Sequence, residues 1–271
     1  MEDKTNVVIL AGGKGLRMRE YSDIIPKALV PIGPYPVILH VMHIYASYGY
    51  TNFILALGYK GEMVKEFFVD MEWKLNDFSI RTDNNNNKEI IKHLPDNWHN
   101  FNITFADTGL ETQTGGRVKL IEKYVESENF FVSYCDGLTD LDISKLYEYH
   151  QKKKKIATMT AVHPMTTFGL VEIDQNNMVK SFREKPFLKD YINGGFFIFK
   201  KEFFDYLNAN DILEEEPMRK LTKAGELAAY THDGFWTCMD TFKDVDRLNS
   251  LWNTGKMIHT GYKGVVPWIK K

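Results

Sequence analysis

The stretch 7–38, VVILAGGKGLRMREYSDIIPKALVPIGPYPVI, constrains this chain more than any other. Its apolar run, Val7-Val8-Ile9-Leu10, reads as a buried strand. The run breaks at Ala11 into Gly12-Gly13-Lys14-Gly15, and two cations follow, Arg17 and Lys27. A buried strand feeding a glycine-rich turn suits phosphate binding, because glycines let backbone N–H groups point at an anion without Cβ interference. Two familiar phosphate loops are excluded. A P-loop needs a hydroxyl directly after its lysine, and Lys14 is followed by Gly15. A dinucleotide fingerprint, G-x-G-x-x-G, would put its third glycine at Met18. Taken alone, the glycines also allow a surface loop without a ligand.

The hydrophobic periods beyond this stretch alternate. They predict a helix over 37–48, closed by Gly49, then a strand over 53–57 and a helix over 62–70. His40 and His43 lie on adjacent turns of the first helix and read as packing residues, since no carboxylate accompanies them. Strand and helix in this order indicate a parallel sheet with right-handed crossovers. Ligands of such sheets sit at the carboxyl ends of strands, where the 12–15 turn lies. Residues 78–102 interrupt the alternation. Asn84-Asn85-Asn86-Asn87 has turn chemistry, and the segment reads as an excursion or lid-like loop before strand character resumes at Ile103.

A second glycine-rich turn follows Asp107-Thr108-Gly109, at Thr114-Gly115-Gly116-Arg117. It opens a helical pattern, so its N–H groups are free for a base edge or an anion. The alternative is a tight turn with Arg117 in solvent. The apolar strand 130–134 ends in Cys135-Asp136-Gly137. A carboxylate there must be paired or bind something, and a hard divalent cation is a natural partner. A turn cap, or pairing with Arg17 or Lys27, is the structural alternative. Cys135 has no histidine partner legible in the sequence and does not read as a nucleophile. Asp142 reads as the N-cap of a helix over 143–153. Strands follow over 157–162, 168–171 and 179–183, and helices over 202–207, 217–224 and 242–253. Asp240, just before the last helix, could serve as its N-cap.

Of 271 residues, 44% are apolar and 26% charged, enough for a single α/β domain with halves over about 1–140 and 141–271. The net charge of −2 gives no general attraction to nucleic acid or to an anionic membrane. There is no apolar run of transmembrane length, the first residues are polar and unlike a signal peptide, and the two cysteines form no disulfide framework. The expected setting is cytoplasmic.

The order L-A-G-G-x-G-x-R followed by Pro26-Lys27 resembles the signature of the sugar-phosphate nucleotidyltransferases. These enzymes join a nucleoside triphosphate to a sugar 1-phosphate and release pyrophosphate. The resemblance implies that Leu10, Ala11, Gly12, Gly13, Lys14 and Gly15 wrap the triphosphate and that Arg17 and Lys27 neutralise it. Leu16 stands where the family usually has threonine, so one phosphate-bonding hydroxyl is missing. D-T-G with T-G-G-R is similar to the cytidylyltransferase branch. That implies CTP as the nucleotide, with Thr108, Gly115 and Arg117 on its base. Cys135-Asp136-Gly137 matches the family's G-D-G, and G-F-W-x-x-M-D-T its second metal motif, which implies Mg2+ on Asp136 and Asp240. S-F-x-E-K-P and I-N-G-G-F-F resemble the sugar-phosphate site. They imply Lys185 on the phosphate and Glu184, Asn193 and Gly194, with Gly169, on the sugar. Arg17, Lys27, Asp136 and Lys185 would carry catalysis. The implied fold is a Rossmann-like mixed, mostly parallel sheet flanked by helices.

The implied products are a CDP-sugar and pyrophosphate, with glucose 1-phosphate the leading acceptor and a homo-oligomer the expected assembly. Another hexose, heptose or polyol phosphate stays open, because His163-Pro164-Met165-Thr166-Thr167 is not a pattern tied to glucose. A non-catalytic nucleotide-sensing relative is also open, though the cations and Asp136 are retained. A nicotinamide oxidoreductase is disfavoured by the missing third glycine.

Overall fold

The computed structural model describes residues 5–18, 22–83, 88–93, 100–166, 168–255 and 266–269. The apolar run before the glycines is β1 (Asn6–Ala11). A short hairpin, β2 (Pro31–Ile32) and β3 (Tyr35–Pro36), leads into α1 (Val37–Ala46). There follow β4 (Asn52–Leu57), α2 (Gly61–Val69), α3 (Met71–Leu75) and a hairpin of β5 (Asp77–Thr82) and β6 (Lys88–His93). Next come β7 (Asn102–Asp107), α4 (Thr114–Leu120), β8 (Asn129–Tyr134), β9 (Gly137–Thr139) and α5 (Ile143–Lys153). The remainder is β10 (Ala157–Val162), the ribbon β11 (Leu170–Ile173) and β12 (Val179–Arg183), β13 (Ile192–Lys200), α6 (Glu216–Ala224), β14 (Leu227–His232), β15 (Trp236–Cys238) and α7 (Phe242–Thr254).

One seven-stranded sheet, in the order β14-β10-β13-β8-β1-β4-β7, crosses both halves of the chain. β13 alone runs against its neighbours; every other pairing in the sheet is parallel. This is the expected mixed, mostly parallel architecture. Alternate side chains of β1 enter opposite faces, as a pleated strand demands. Val7, Ile9 and Ala11 join one core with α1 and α7, and Val8 and Leu10 join the other with Phe130, Phe197 and Phe199.

The order reverses between β1 and β8, and this places the site. β1 leaves toward β4 on one side, while β8 returns on the other. Leu10 pairs with Tyr134 in that parallel register. The glycine turn after β1 and Asp136 after β8 are therefore neighbours at the carboxyl edge, where crevices form in open α/β sheets.

Local structure departs from the sequence reading at three places. Residues 78–102 are not a loop throughout, since β5 and β6 pair from Asp77↔His93 to Thr82↔Lys88. The alternation Phe78-Ser79-Ile80-Arg81 carries that hairpin; Asn84 to Asn87 lie outside the described residues, as does Thr167. The predicted helix at 202–207 is a 3-10 turn over Lys201–Tyr206 that buries Phe203 and Phe204. The N-cap of α7 is Thr241, not Asp240. Thr241 and Asp244 form a reciprocal capping box, which leaves the Asp240 carboxylate to face the cleft. Asp142 caps α5 as expected, accepting from the Lys145 N–H at 3.1 Å.

Candidate active site

A cleft of about 840 Å³ opens at this edge. The 12–15 turn, Lys27, Asp136, Asn193 and Asp240 all line it. Gly15 adopts φ +61°, the left-handed region that favours glycine. The Gly13 Cα faces open space, so a ligand can approach the backbone there. Gly12 has a different reason to be glycine: a Cβ on it would run into the Arg117 guanidinium.

Arg117 is turned inward and almost wholly buried. Nη2 donates to the Gly12 carbonyl at 2.9 Å and reaches the Leu110 carbonyl at 3.4 Å. Nη1 donates to Thr108 Oγ1 at 2.6 Å, to the Gly109 carbonyl at 2.8 Å and to the Leu57 carbonyl at 3.1 Å. One side chain thus ties together the loops after β1, β4 and β7. Burial lowers its pKa, opposed by the charge of Asp107.

The carboxylates meet through a short ribbon. β9 and β15 pair with Gly137 opposite Cys238, and the Met239 N–H donates to the Asp136 carbonyl at 3.1 Å. Asp136 and Asp240, far apart in sequence, thereby flank Lys27. Its Nζ bonds the Asp136 carboxylate directly and Asp240 Oδ1 at 2.7 Å, while Arg17 Nη1 reaches Asp240 Oδ2 at 2.9 Å. Burial alone would lower Lys27, but Asp136 and Asp240 beside it raise it above the ordinary ammonium value. Burial pushes the Asp136 carboxyl up against the pull of Lys27. Asp240, also desolvated, is held below the usual carboxylate range by Lys27 and Arg17. Cys135 and Cys238 are pushed up to about 12 by burial and neighbouring carboxylates, so neither is a thiolate at neutral pH.

The opposite wall comes from the second half. The Asn193 amide donates to the Tyr134 hydroxyl at 3.4 Å, and that hydroxyl donates to Glu214 Oε1. Thr114 Oγ1 donates to Glu214 Oε2 at 2.8 Å. The Trp236 indole donates to the Gly194 carbonyl at 2.8 Å. The β11–β12 ribbon leaves at the end of β10 and returns at the start of β13, on the cleft's edge of the sheet.

A model of the nucleotidyl transferase family matches residues 6–261. The chain belongs to that family. It is 43% identical over 253 residues to the Bacillus subtilis (strain 168) protein named "Probable glucose-1-phosphate cytidylyltransferase", covering 93% of this chain and 97% of the relative. It is 40% identical to the glucose-1-phosphate cytidylyltransferase of Salmonella typhi, over 92% of this chain and 96% of that one. Among solved structures, HddC from Yersinia pseudotuberculosis superposes with a TM-score of 0.65 at 25% identity, covering 91% of this chain and 98% of the other.

The structure of this nucleotidyl transferase sorts the residues read from sequence. Leu10, Ala11, Gly12, Gly13, Lys14, Gly15, Arg17, Lys27, Asp136, Asn193, Gly194 and Asp240 all line the cleft. Arg117 is also at its wall, though its Nη1 and Nη2 groups donate to the protein. Thr108 lies buried beneath, donating to the Leu57 carbonyl at 2.6 Å. Gly115 packs against the Asp211 backbone, and the Gly116 N–H is bound to the Asp211 carbonyl at 3.0 Å. Gly169, Glu184 and Lys185 sit on the ribbon, outside the cleft lining, with Lys185 Nζ 3.5 Å from Glu184 Oε1. Leu16, which stands where the family usually has threonine, lines the cleft. Sequence reasoning missed Tyr134 and Glu214. Tyr134 directly precedes the Cys135-Asp136-Gly137 motif, a usable signal; Glu214 is hidden in Glu214-Glu215-Glu216, a run that reads as solvated surface.

Proposed function

We propose that this nucleotidyl transferase moves CMP from CTP to a sugar 1-phosphate, glucose 1-phosphate first, giving a CDP-sugar and pyrophosphate. The observation that carries this reading is the convergence of Lys27, Arg17, Asp136 and Asp240 at the mouth of an open glycine turn. Its two relatives above, with 40–43% identity over nearly their full length, carry the cytidylyltransferase name.

A sugar-phosphate oxygen must attack the α-phosphorus of CTP, anion against anion. That oxygen is already ionised, so no general base is needed. The barrier is electrostatic, and preorganised cations lower it. Lys27 and Arg17 shield the triphosphate and stabilise charge passing to pyrophosphate, and the 12–15 turn holds the phosphates in line. Asp136 and Asp240 fit Mg2+: both offer hard oxygens, and two protein ligands suit an ion that keeps waters and takes phosphate oxygens. Such an ion, when bound, neutralises the triphosphate and its leaving group. Thr108, Gly115 and Arg117 shape the nucleotide loops from behind. Lys185, Glu184 and Gly169 act from the ribbon on the sugar phosphate, and Asn193 and Gly194 act from the cleft wall.

The chain works as a homo-oligomer. The ribbon exposes Phe168, Val171, Ile173, Met178, Val179 and Phe182, a run of apolar surface that a second copy would cover. The two halves act as one domain, nucleic acid and membrane are not partners, and the setting is cytoplasmic. Among the described residues no helix is long and apolar enough to cross a membrane.

The test is pyrophosphate release with glucose 1-phosphate, Mg2+ and, separately, CTP, UTP, dTTP, ATP and GTP. Release with CTP alone supports the reading. Release only with another nucleotide refutes it. Release with CTP but only on another sugar or polyol phosphate moves the acceptor and leaves the nucleotide in place.

A further inference from the structure

Glu214 is an anion in a cleft built for phosphates. Among the described residues it makes no ion pair. Its two oxygens accept from the Tyr134 hydroxyl and from Thr114 Oγ1. Thr114 opens α4 on the nucleotide side, beside Glu111, Thr112 and Gln113, which also line the cleft. Tyr134 stands opposite Leu10, at the base of the glycine turn. The carboxylate is therefore held from two sides, still exposed to the cleft, with lone pairs to spare. The Tyr134 hydroxyl donates to Glu214 and accepts from the Asn193 amide at 3.4 Å, so it has no proton left to offer the cleft. A fixed carboxylate beside an acceptor repels phosphate and carbonyl oxygen and favours an N–H or O–H donor.

We propose that Glu214, held by Tyr134 and Thr114, is the specificity-determining residue that accepts a hydrogen bond from the exocyclic amine of cytosine. At that ring position cytosine presents an amine and uracil a carbonyl oxygen. A carboxylate pairs with the first and repels the second. The inference rests on the CTP reading and gives it a structural cause. Loss of one charge-assisted hydrogen bond, with one repulsion relieved, corresponds to about 10- to 100-fold in discrimination.

The experiment compares wild type, Glu214→Gln and Tyr134→Phe for kcat/KM with CTP and with UTP at saturating acceptor, and for the melting shift each nucleotide induces without acceptor. Glutamine is isosteric and can turn its amide N–H toward a carbonyl. In E214Q the CTP:UTP ratio should fall about 10- to 100-fold, with UTP improving in absolute terms. Y134F should erode the ratio less while keeping preference for CTP. If wild type prefers CTP and E214Q keeps the wild-type ratio, the assignment of Glu214 is overturned, whatever happens to the acceptor KM. If wild type itself does not prefer CTP, the function proposed above fails first. The melting shifts apply the same criterion to a variant too slow to assay.

Discussion

Gly12 and Arg117 should be energetically coupled. Alanine at position 12 puts a methyl group where the Arg117 guanidinium lies, with Nε only 2.9 Å away and Cζ and Nη1 closer still. The guanidinium cannot retreat freely, because it holds the carbonyls of Gly12, Leu57 and Gly109 and the Thr108 hydroxyl at 2.6–3.1 Å. Overpacking costs about 1–3 kcal/mol, and one weakened bond to a charged donor adds about 1.5–3 kcal/mol. Gly12→Ala should therefore destabilise the free protein by roughly 3–5 kcal/mol. Arg117→Ala strands several buried carbonyls and should cost on the order of 3–5 kcal/mol. In the double variant the new methyl enters vacated space, so Gly12→Ala should then cost under about 1 kcal/mol. The two losses should fall short of additivity by roughly 2 kcal/mol or more. Urea unfolding of the four proteins without nucleotide measures this, free of any effect on phosphate binding. Additivity within about 0.5 kcal/mol would show that Gly12 is required for reasons unrelated to Arg117.

Further outcomes are expected. Asp136→Ala should cut kcat by about 10²–10³ while CTP affinity changes much less; equal, small losses in both would argue against a metal-holding role. Lys185→Ala should raise the KM for the sugar phosphate and spare CTP binding, and an unchanged acceptor KM would remove the ribbon from the site. His40 is buried, with Nε2 against the Ile32 carbonyl at 2.9 Å and Nδ1 accepting from the Trp268 indole at 3.2 Å. Burial lowers its pKa to about 4. The unfolded chain takes up that proton near pH 6.5 and the folded protein only near 4. Stability is thus complete above about pH 6.5 and lost on acidification toward 4, by about 2 kcal/mol at pH 5 from this residue. Urea midpoints of wild type and His40→Gln at pH 7 and 5 test this, and an equal acid loss in both would refute it. Trp268→Ala removes the ring stacked on Phe235 at 5.6 Å. It should cost about 3–5 kcal/mol, and a melting temperature within a degree of wild type would count against the tail as a structural element.

The sequence by itself determined the sheet, the glycine turn and most of the cleft's floor. These are local signals: alternation sets strands, a 3.6-residue period sets helices, and an apolar strand running into Gly12-Gly13-Lys14-Gly15 places the turn at a carboxyl edge. Asp136 was legible for the same reason, as a charge at the end of a buried strand. Tertiary structure decided which distant side chains meet. A glycine required by its own φ, such as Gly15, and one required by another residue's guanidinium, such as Gly12, are the same letter. Arg117 read as a cation facing a ligand, yet it turned inward, because three loops ending at adjacent strands left their carbonyls converging there. Asp240 read as a metal carboxylate by resemblance, with a helix cap as the alternative; Thr241 and Asp244 closed the capping box, and β15 paired with β9, carrying the Asp240 carboxylate to Lys27. Glu214 became part of the wall only because the segment before α6 packs on the start of α4, where the Leu213 N–H donates to Thr114 Oγ1 at 2.9 Å and the Gly116 N–H to the Asp211 carbonyl at 3.0 Å. Local spacing encodes period and turn chemistry. Contacts across a hundred residues follow from sheet order and register, which the whole core selects at once.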